Sequence, residues 1–179
     1  MDSNNPDLSY PIGRFDFKQT VTPEQLPGLI TQITTLPAAL RAAVHGLTDE
    51  QLDTPYRPDG WTVRQTVHHV AESHMQSFMR FRLTLTEHEP AIKGYDQKAW
   101  AELADSRTAP TEPSMQILEG LHFRWVSLLR AMTPEDFARG FKHSELGVVR
   151  LDLITGLYAW HGRHHVAHIT GLRDRKGWK

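Results

Sequence analysis

Eleven histidines stand in this chain of 179 residues, and they are unevenly spread. Three fall in the heptapeptide HHVAESH (68–74) and four in the octapeptide HGRHHVAH (161–168). Both runs are internal and broken by apolar and small residues, which separates them from an expression tag. Neutral imidazole is a ligand for divalent first-row metals, so the question is whether several rings can meet at one point. A helix advances about 100° per residue, so residues four apart share a face. On the last helical segment, Ile154, Leu157, Tyr158 and Leu172 define an inward stripe, and His161 and His165 fall within roughly 20° of Ile154. An inward pair at i and i+4 is how one helix offers a metal two imidazoles. A single histidine on an apolar face is more often a hydrogen-bonded core residue. Several buried imidazoles without partners cost free energy, however, and one metal accounts for both clusters.

The third ligand is open from spacing. His68, His69 and His74 compete. Periodicity favours His74, which shares the apolar stripe of its helix. It places His69 with Thr62, Thr66, Ser73 and Gln76, a polar face that is either solvent or a pocket wall. His168 lies at the edge of the inward stripe and His164 further round.

The elements that must position these residues read as helices. Thr22-Pro23-Glu24-Gln25 reads as a helix start, with Thr22 as N-cap and Gln25 completing a capping box. Leu26, Leu29, Ile30, Ile33, Leu36, Leu40, Ala43 and Leu47 continue it, and Pro37 should kink or split it. Residues 48–60 read as a loop. A second helix is expected from Trp61-Thr62 to about Thr86, then a long connection from Glu89 to Pro113 with a short helix near 96–103. A third helix fits 112–131, followed by a helical turn at Thr133–Asp136. Residues 140–150 read as a small hairpin or irregular loop, and Asp152 caps a fourth long helix ending near Gly171. The expected fold is therefore all-α: a four-helix bundle in one domain over 1–179, with an extended arm (1–20), the bundle (21–172) and a solvated basic tail (173–179).

Composition excludes other classes. With 39% hydrophobic and 23% charged residues, one sizeable core is available. A net charge of -1 with scattered Lys and Arg argues against nucleic acid as partner. The chain has no cysteine, so disulfides, thiolate zinc sites and a cysteine nucleophile are excluded. No apolar run reaches the roughly 18 residues of a membrane span, and the polar start MDSNNPDLSY lacks a signal-peptide pattern; cytoplasmic is the default.

The segments GWTVRQTVHHVAESH (60–74) and YAWHGRHHVAHI (158–169) resemble the DinB superfamily of four-helix bundles. With SYPIGRF (9–15), TPYRPDGW (54–61) and the Arg-Trp of LHFRWVSLLR (121–130), the similarity extends to the YfiT-like branch of metal-dependent hydrolases and spans nearly the whole chain. Matched residue by residue, the resemblance implies His69, His161 and His165 as the metal ligands, which the periodicity of the second helix mildly disfavours for His69. Many members have Gln where His168 stands, so the resemblance assigns His168 no ligand role. It also implies a homodimer, to which an extended N-terminal arm would be suited.

Three neutral imidazoles suit one Zn²⁺ or Ni²⁺ per subunit and leave a position open for water or a small-molecule substrate. That position permits hydrolysis or the activation of a low-molecular-weight thiol, and relatives include bacillithiol S-transferase-like proteins. The alternatives to a metal-dependent hydrolase are thus a thiol S-transferase and a non-catalytic metal-binding protein, the last closed by His164 or His168. Glu72 is the carboxylate nearest the first cluster, yet it points about 60° from His69 and reads as exposed. Trp61, Tyr158 and Trp160 read as core packing that could also wall a pocket. Arg64 and Arg163 read as surface residues.

Overall fold

The computed structural model describes residues 7–178; residues 1–6 and Lys179, parts of the expected arm and tail, lie outside them. The chain runs through α1 (Leu26–Val44), α2 (Asp49–Leu52), α3 (Val63–Thr86), β1 (Ala91–Ile92), α4 (Gln97–Ala101), α5 (Ala104–Thr108), α6 (Glu112–Ala131), α7 (Pro134–Ala138), β2 (Gly140–His143), β3 (Gly147–Arg150) and α8 (Leu151–Lys176). Four long helices, α1, α3, α6 and α8, form the expected bundle. Both α1 and α3 pack on α6 and on α8, which puts α1 and α3 at opposite corners. The first two long helices are therefore diagonal rather than neighbours, and the connection through α2 must cross one end of the bundle.

Side-chain caps explain half of the eight helix starts among the described residues. Thr62 caps α3 and Thr133 caps α7, each in a reciprocal capping box with the residue three positions on. Thr48 does the same for α2, an element inside the segment expected to be loop. At α1 only half of the expected box forms: the Thr22 amide donates to the Gln25 side chain, and the helix begins at Leu26 with Gln25 as N-cap. Pro37 neither splits α1 nor ends it. Asp152 is not the cap of α8; Arg150 occupies that position, and Asp152 instead binds the Arg150 guanidinium and the Leu153 amide. Nor does α8 stop at Gly171. It continues to Lys176 and ends on Gly177, whose φ of 65° is the left-handed conformation a glycine adopts freely.

The basic end is consequently no free tail. The Arg173 guanidinium donates to the carbonyls of Ala43 and His45, and Arg175 donates to that of Tyr56. The hairpin between α7 and α8 is present as antiparallel β2–β3, and β1 from the long connection adds in parallel to β2.

Apolar side chains form two clusters. One gathers Ile33, Phe78, Phe81, Trp125, Phe141, Ile154 and Tyr158. The other gathers Leu36, Leu40, Val67, Val70, Leu118, Ile169 and Leu172. Along α3, α6 and α8, His74, His122 and His161 fall in sequence between members of the first cluster and members of the second. The site occupies the seam between two dry cores.

Candidate metal centre

His69 projects from the second turn of α3, and His161 and His165 from successive turns of α8, at the base of a cleft of roughly 620 Å³. One nitrogen from each of the three rings lies within 4.8 Å of the other two. His69 Nε2 and His161 Nε2 are 3.3 Å apart. Two tetrahedral ligands at 2.0–2.1 Å from one zinc ion would be separated by roughly that distance, so the donor set fits such an ion. No fourth His, Asp or Glu joins this group among the described residues.

Burial keeps these rings in the form a metal needs. His69 is only 2% exposed, so the face that looks polar by periodicity is interior. Desolvation, reinforced by His164, pushes its pKa down to about 4. His161 and His165 are driven well below the ordinary histidine range, first by burial and then by neighbouring histidines. All three are neutral at pH 7, with a lone pair available. Nδ1 of His69 and Nδ1 of His165 are buried without a hydrogen-bond partner.

The other histidines divide by what they touch. His68 ties α3 to the start of α6: Nε2 faces the Ala109 carbonyl at 3.2 Å and Nδ1 the Ser114 hydroxyl at 2.7 Å. His74, favoured by periodicity, is fully buried behind His161, its Nε2 3.2 Å from His161 Nδ1. His164 stacks on Trp160, and His168 stacks on Tyr56 while donating to the Ser9 carbonyl. His164, His165 and His168 form a second close group, but it shares His165 with the first, and the Ser9 bond already uses one nitrogen of His168.

Aromatic rings brace the site. Trp61 sits 4.6 Å from His69 between ring centroids, and both Trp61 and Trp160 line the cleft, whereas Tyr158 is core, its hydroxyl donating to the Ser73 carbonyl. The N-terminal arm lies on this chain's own α8, where Trp160 Nε1 donates to the Gly13 carbonyl and Tyr10 packs on His164. Arg64 is not a surface residue. It is buried, donates to Asp49, Asp53 and the Ala109 carbonyl, and anchors the start of α3. Arg163 is exposed, as expected. Glu72 is half-buried rather than exposed, with its pKa raised chiefly by desolvation, and it does not line the cleft. The carboxylates that do are Asp59 and Glu102, and the cations Arg57 and Lys98 line it too. Spacing did not reveal them, because they come from the turn before α3 and the connection after α4. Nor did it reveal His122, which lies outside both histidine clusters.

Known proteins are similar to this chain in sequence and in fold. YfiT of Bacillus subtilis, named "Putative metal-dependent hydrolase YfiT", is 51% identical over 172 residues, covering 96% of this chain and 97% of its own. A Bacillus cereus (strain ATCC 10987) protein named "Putative metal-dependent hydrolase" is 52% identical over 172 residues, covering 96% of this chain and 99% of its own. The solved structure of Bacillus subtilis YfiT, described as a probable metal-dependent hydrolase with an unusual four-helix bundle topology, superposes with a TM-score of 0.92 over 96% of this chain and 99% of that one. The DinB superfamily model matches residues 32–169, and with it and these relatives agreeing over nearly the full length, the chain belongs to the DinB superfamily.

Proposed function

We propose that the protein is a metal-dependent hydrolase in which His69, His161 and His165 hold one divalent cation, zinc or nickel, with a position left open toward the cleft. The observation that carries this reading is the convergence of three neutral imidazoles from two helices in a cleft, with no fourth His, Asp or Glu joining them among the described residues. The names of the high-identity relatives point the same way. Such a cation, when bound, supplies Lewis-acid activation of water or of a substrate carbonyl. The chain's own residues do the rest. Trp61, packed against His69 and His165, keeps bulk water from one side of those rings, and Arg57 and Lys98 offer positive charge to a small substrate with an anionic group. No helix is long and apolar enough to cross a membrane. A cytoplasmic location and a homodimer belong to the same proposal.

Replacing His165 by Ala tests the ligand set. Bound zinc or nickel, measured by elemental analysis after dialysis, should fall to background, while the far-ultraviolet helical signal persists because both apolar clusters are untouched. Metal retained at one equivalent in that variant would refute the assignment. The activity is tested by a screen of the metal-loaded protein against ester and amide substrates and against thiol–electrophile pairs. Hydrolysis of the first group that is lost with His165→Ala is the expected result. Turnover of the second group alone would replace hydrolysis by thiol transfer.

A further inference from the structure

A metal ligand must present a lone pair, and a neutral imidazole has two nitrogens of which only one does. What selects the nitrogen is the hydrogen bond made by the other. Behind His161 the structure holds a continuous line of such bonds. His161 Nδ1 is 3.2 Å from His74 Nε2, His74 Nδ1 is 3.0 Å from His122 Nε2, and His122 Nδ1 is 2.8 Å from the backbone carbonyl of Ile33. Three helices and the backbone of a fourth are joined in one file.

The end of the line decides its direction. A carbonyl oxygen only accepts, so Nδ1 of His122 carries a proton. His122 is 2% exposed and His74 fully buried, and none of the ion pairs among the described residues involves these rings. A neutral His122 protonated at Nδ1 has a bare Nε2, which accepts from Nδ1 of His74. His74 is then bare at Nε2 and accepts from Nδ1 of His161. His161 is left with its lone pair on Nε2, the atom that stands 3.3 Å from Nε2 of His69.

The acceptor is free because of Pro37. In α1 the amide of residue 37 would donate to the carbonyl of residue 33, and proline has no amide hydrogen. The Ile33 carbonyl therefore lacks its helical partner and takes His122 instead, which satisfies a buried group that would otherwise be orphaned. One proline thus explains why a helix carbonyl can end a side-chain file.

We propose that the Ile33 carbonyl, acting through His122 and His74, fixes His161 in the tautomer whose Nε2 lone pair faces His69, so that His74 and His122 are positioning residues for the metal centre. The proposal rests on the reading of His161 as a ligand. It predicts more than packing, because the order of protons along the file is itself observable.

The test starts with metal-free protein labelled with ¹⁵N in histidine, whose long-range proton–nitrogen correlations identify the protonated nitrogen of each ring. His122, His74 and His161 should all be protonated at Nδ1 and bare at Nε2. A His161 ring protonated at Nε2 overturns the proposal. Two variants then separate polarity from volume: His122→Phe removes both hydrogen bonds, and His122→Gln retains a donor for Ile33 and an acceptor for His74. Titration with zinc alone, in competition with a chelator, should show affinity weakened by about 10-fold or more in His122→Phe. His161 should become a tautomer mixture in that variant, and His122→Gln should restore both properties. Parent-like zinc affinity and an unchanged His161 tautomer in folded His122→Phe overturn the proposal. If His122→Phe does not fold, the parent tautomers and the Gln variant still decide it. A parent protein with all three Nδ1 tautomers that binds no zinc or nickel would instead refute the proposed function and leave the proton order standing.

Discussion

His69 shows how a residue's environment can reverse the impression made by its neighbours in sequence. Thr66, Ser73 and Thr62 share its side of α3, yet Thr66 and Ser73 are buried like it; the Thr66 hydroxyl donates to the Thr62 carbonyl one turn back, and the Ser73 hydroxyl meets that of Tyr158 on α8. Small polar residues with local partners can line an interior, so a polar stripe does not by itself mean solvent. Burial at this scale has a consequence for pH. Desolvation holds His69 and His122 down to about 4, whereas an exposed histidine titrates near 6.5. Between those values the unfolded chain binds more protons than the folded one, so stability rises with pH. The metal-free protein should therefore be fully stable above about pH 6.5 and lose stability as pH falls toward 4, at up to about 1.4 kcal/mol per pH unit for each such ring. Urea unfolding at a series of pH values checks this. A flat profile from pH 7 to 5 would show that these rings are not held neutral.

Among the elements, α8 and α1 set the site's tolerance. Gly162 follows His161, and a Cβ there would lie 2.5 Å from Leu36 Cδ2 and 2.7 Å from Leu36 Cδ1. The glycine lets α8 approach α1 closely. Gly162→Ala should therefore destabilise the fold by about 1–3 kcal/mol, since a side chain must be forced aside in a packed seam. Denaturant midpoints measure the loss. A variant as stable as the parent would mean that Leu36 moves away without resistance. The helices themselves were largely legible: the spacing of Val63, Val67, Val70 and Phe78, and the capping boxes at Thr62 and Thr133, are local signals. The misread ends were not local. Asp152 has the chemistry of a cap but uses it on Arg150, and α8 runs past Gly171 because Arg173 and Arg175 find carbonyl partners on other segments. Pro37 carries the local signal of a kink or a split, yet α1 runs through it unbroken, because His122 supplies the hydrogen bond its ring cannot.

For the whole molecule, a cation held between α3 and α8 would join two neighbouring corners of the bundle, so its binding energy becomes folding energy. Zinc at about 1,000 times its dissociation constant should add about 4 kcal/mol, which for a chain of this size raises the melting temperature by about 10 °C. Calorimetry with and without zinc measures the shift, and His69→Ala should abolish it. An equal shift in that variant would place the binding elsewhere.

The sequence by itself determined that four amphipathic helices form, that two of them carry histidine clusters, one with a pair at metal-ligand spacing, and that the chain resembles the DinB family. These follow from periodicity, from i and i+4 geometry and from motifs, all of which are properties of short stretches of chain. Only the tertiary structure decided that α1 and α3 lie diagonally and that the arm folds onto its own α8. It alone put His69 on the cleft side of His161 and His74 behind it, and brought His122 and the Ile33 carbonyl into file beyond His74. Those relations join residues 92 positions apart at His69 and His161 and 159 apart at Ser9 and His168, and they depend on which faces share an interior, a choice made by packing and not by any local pattern.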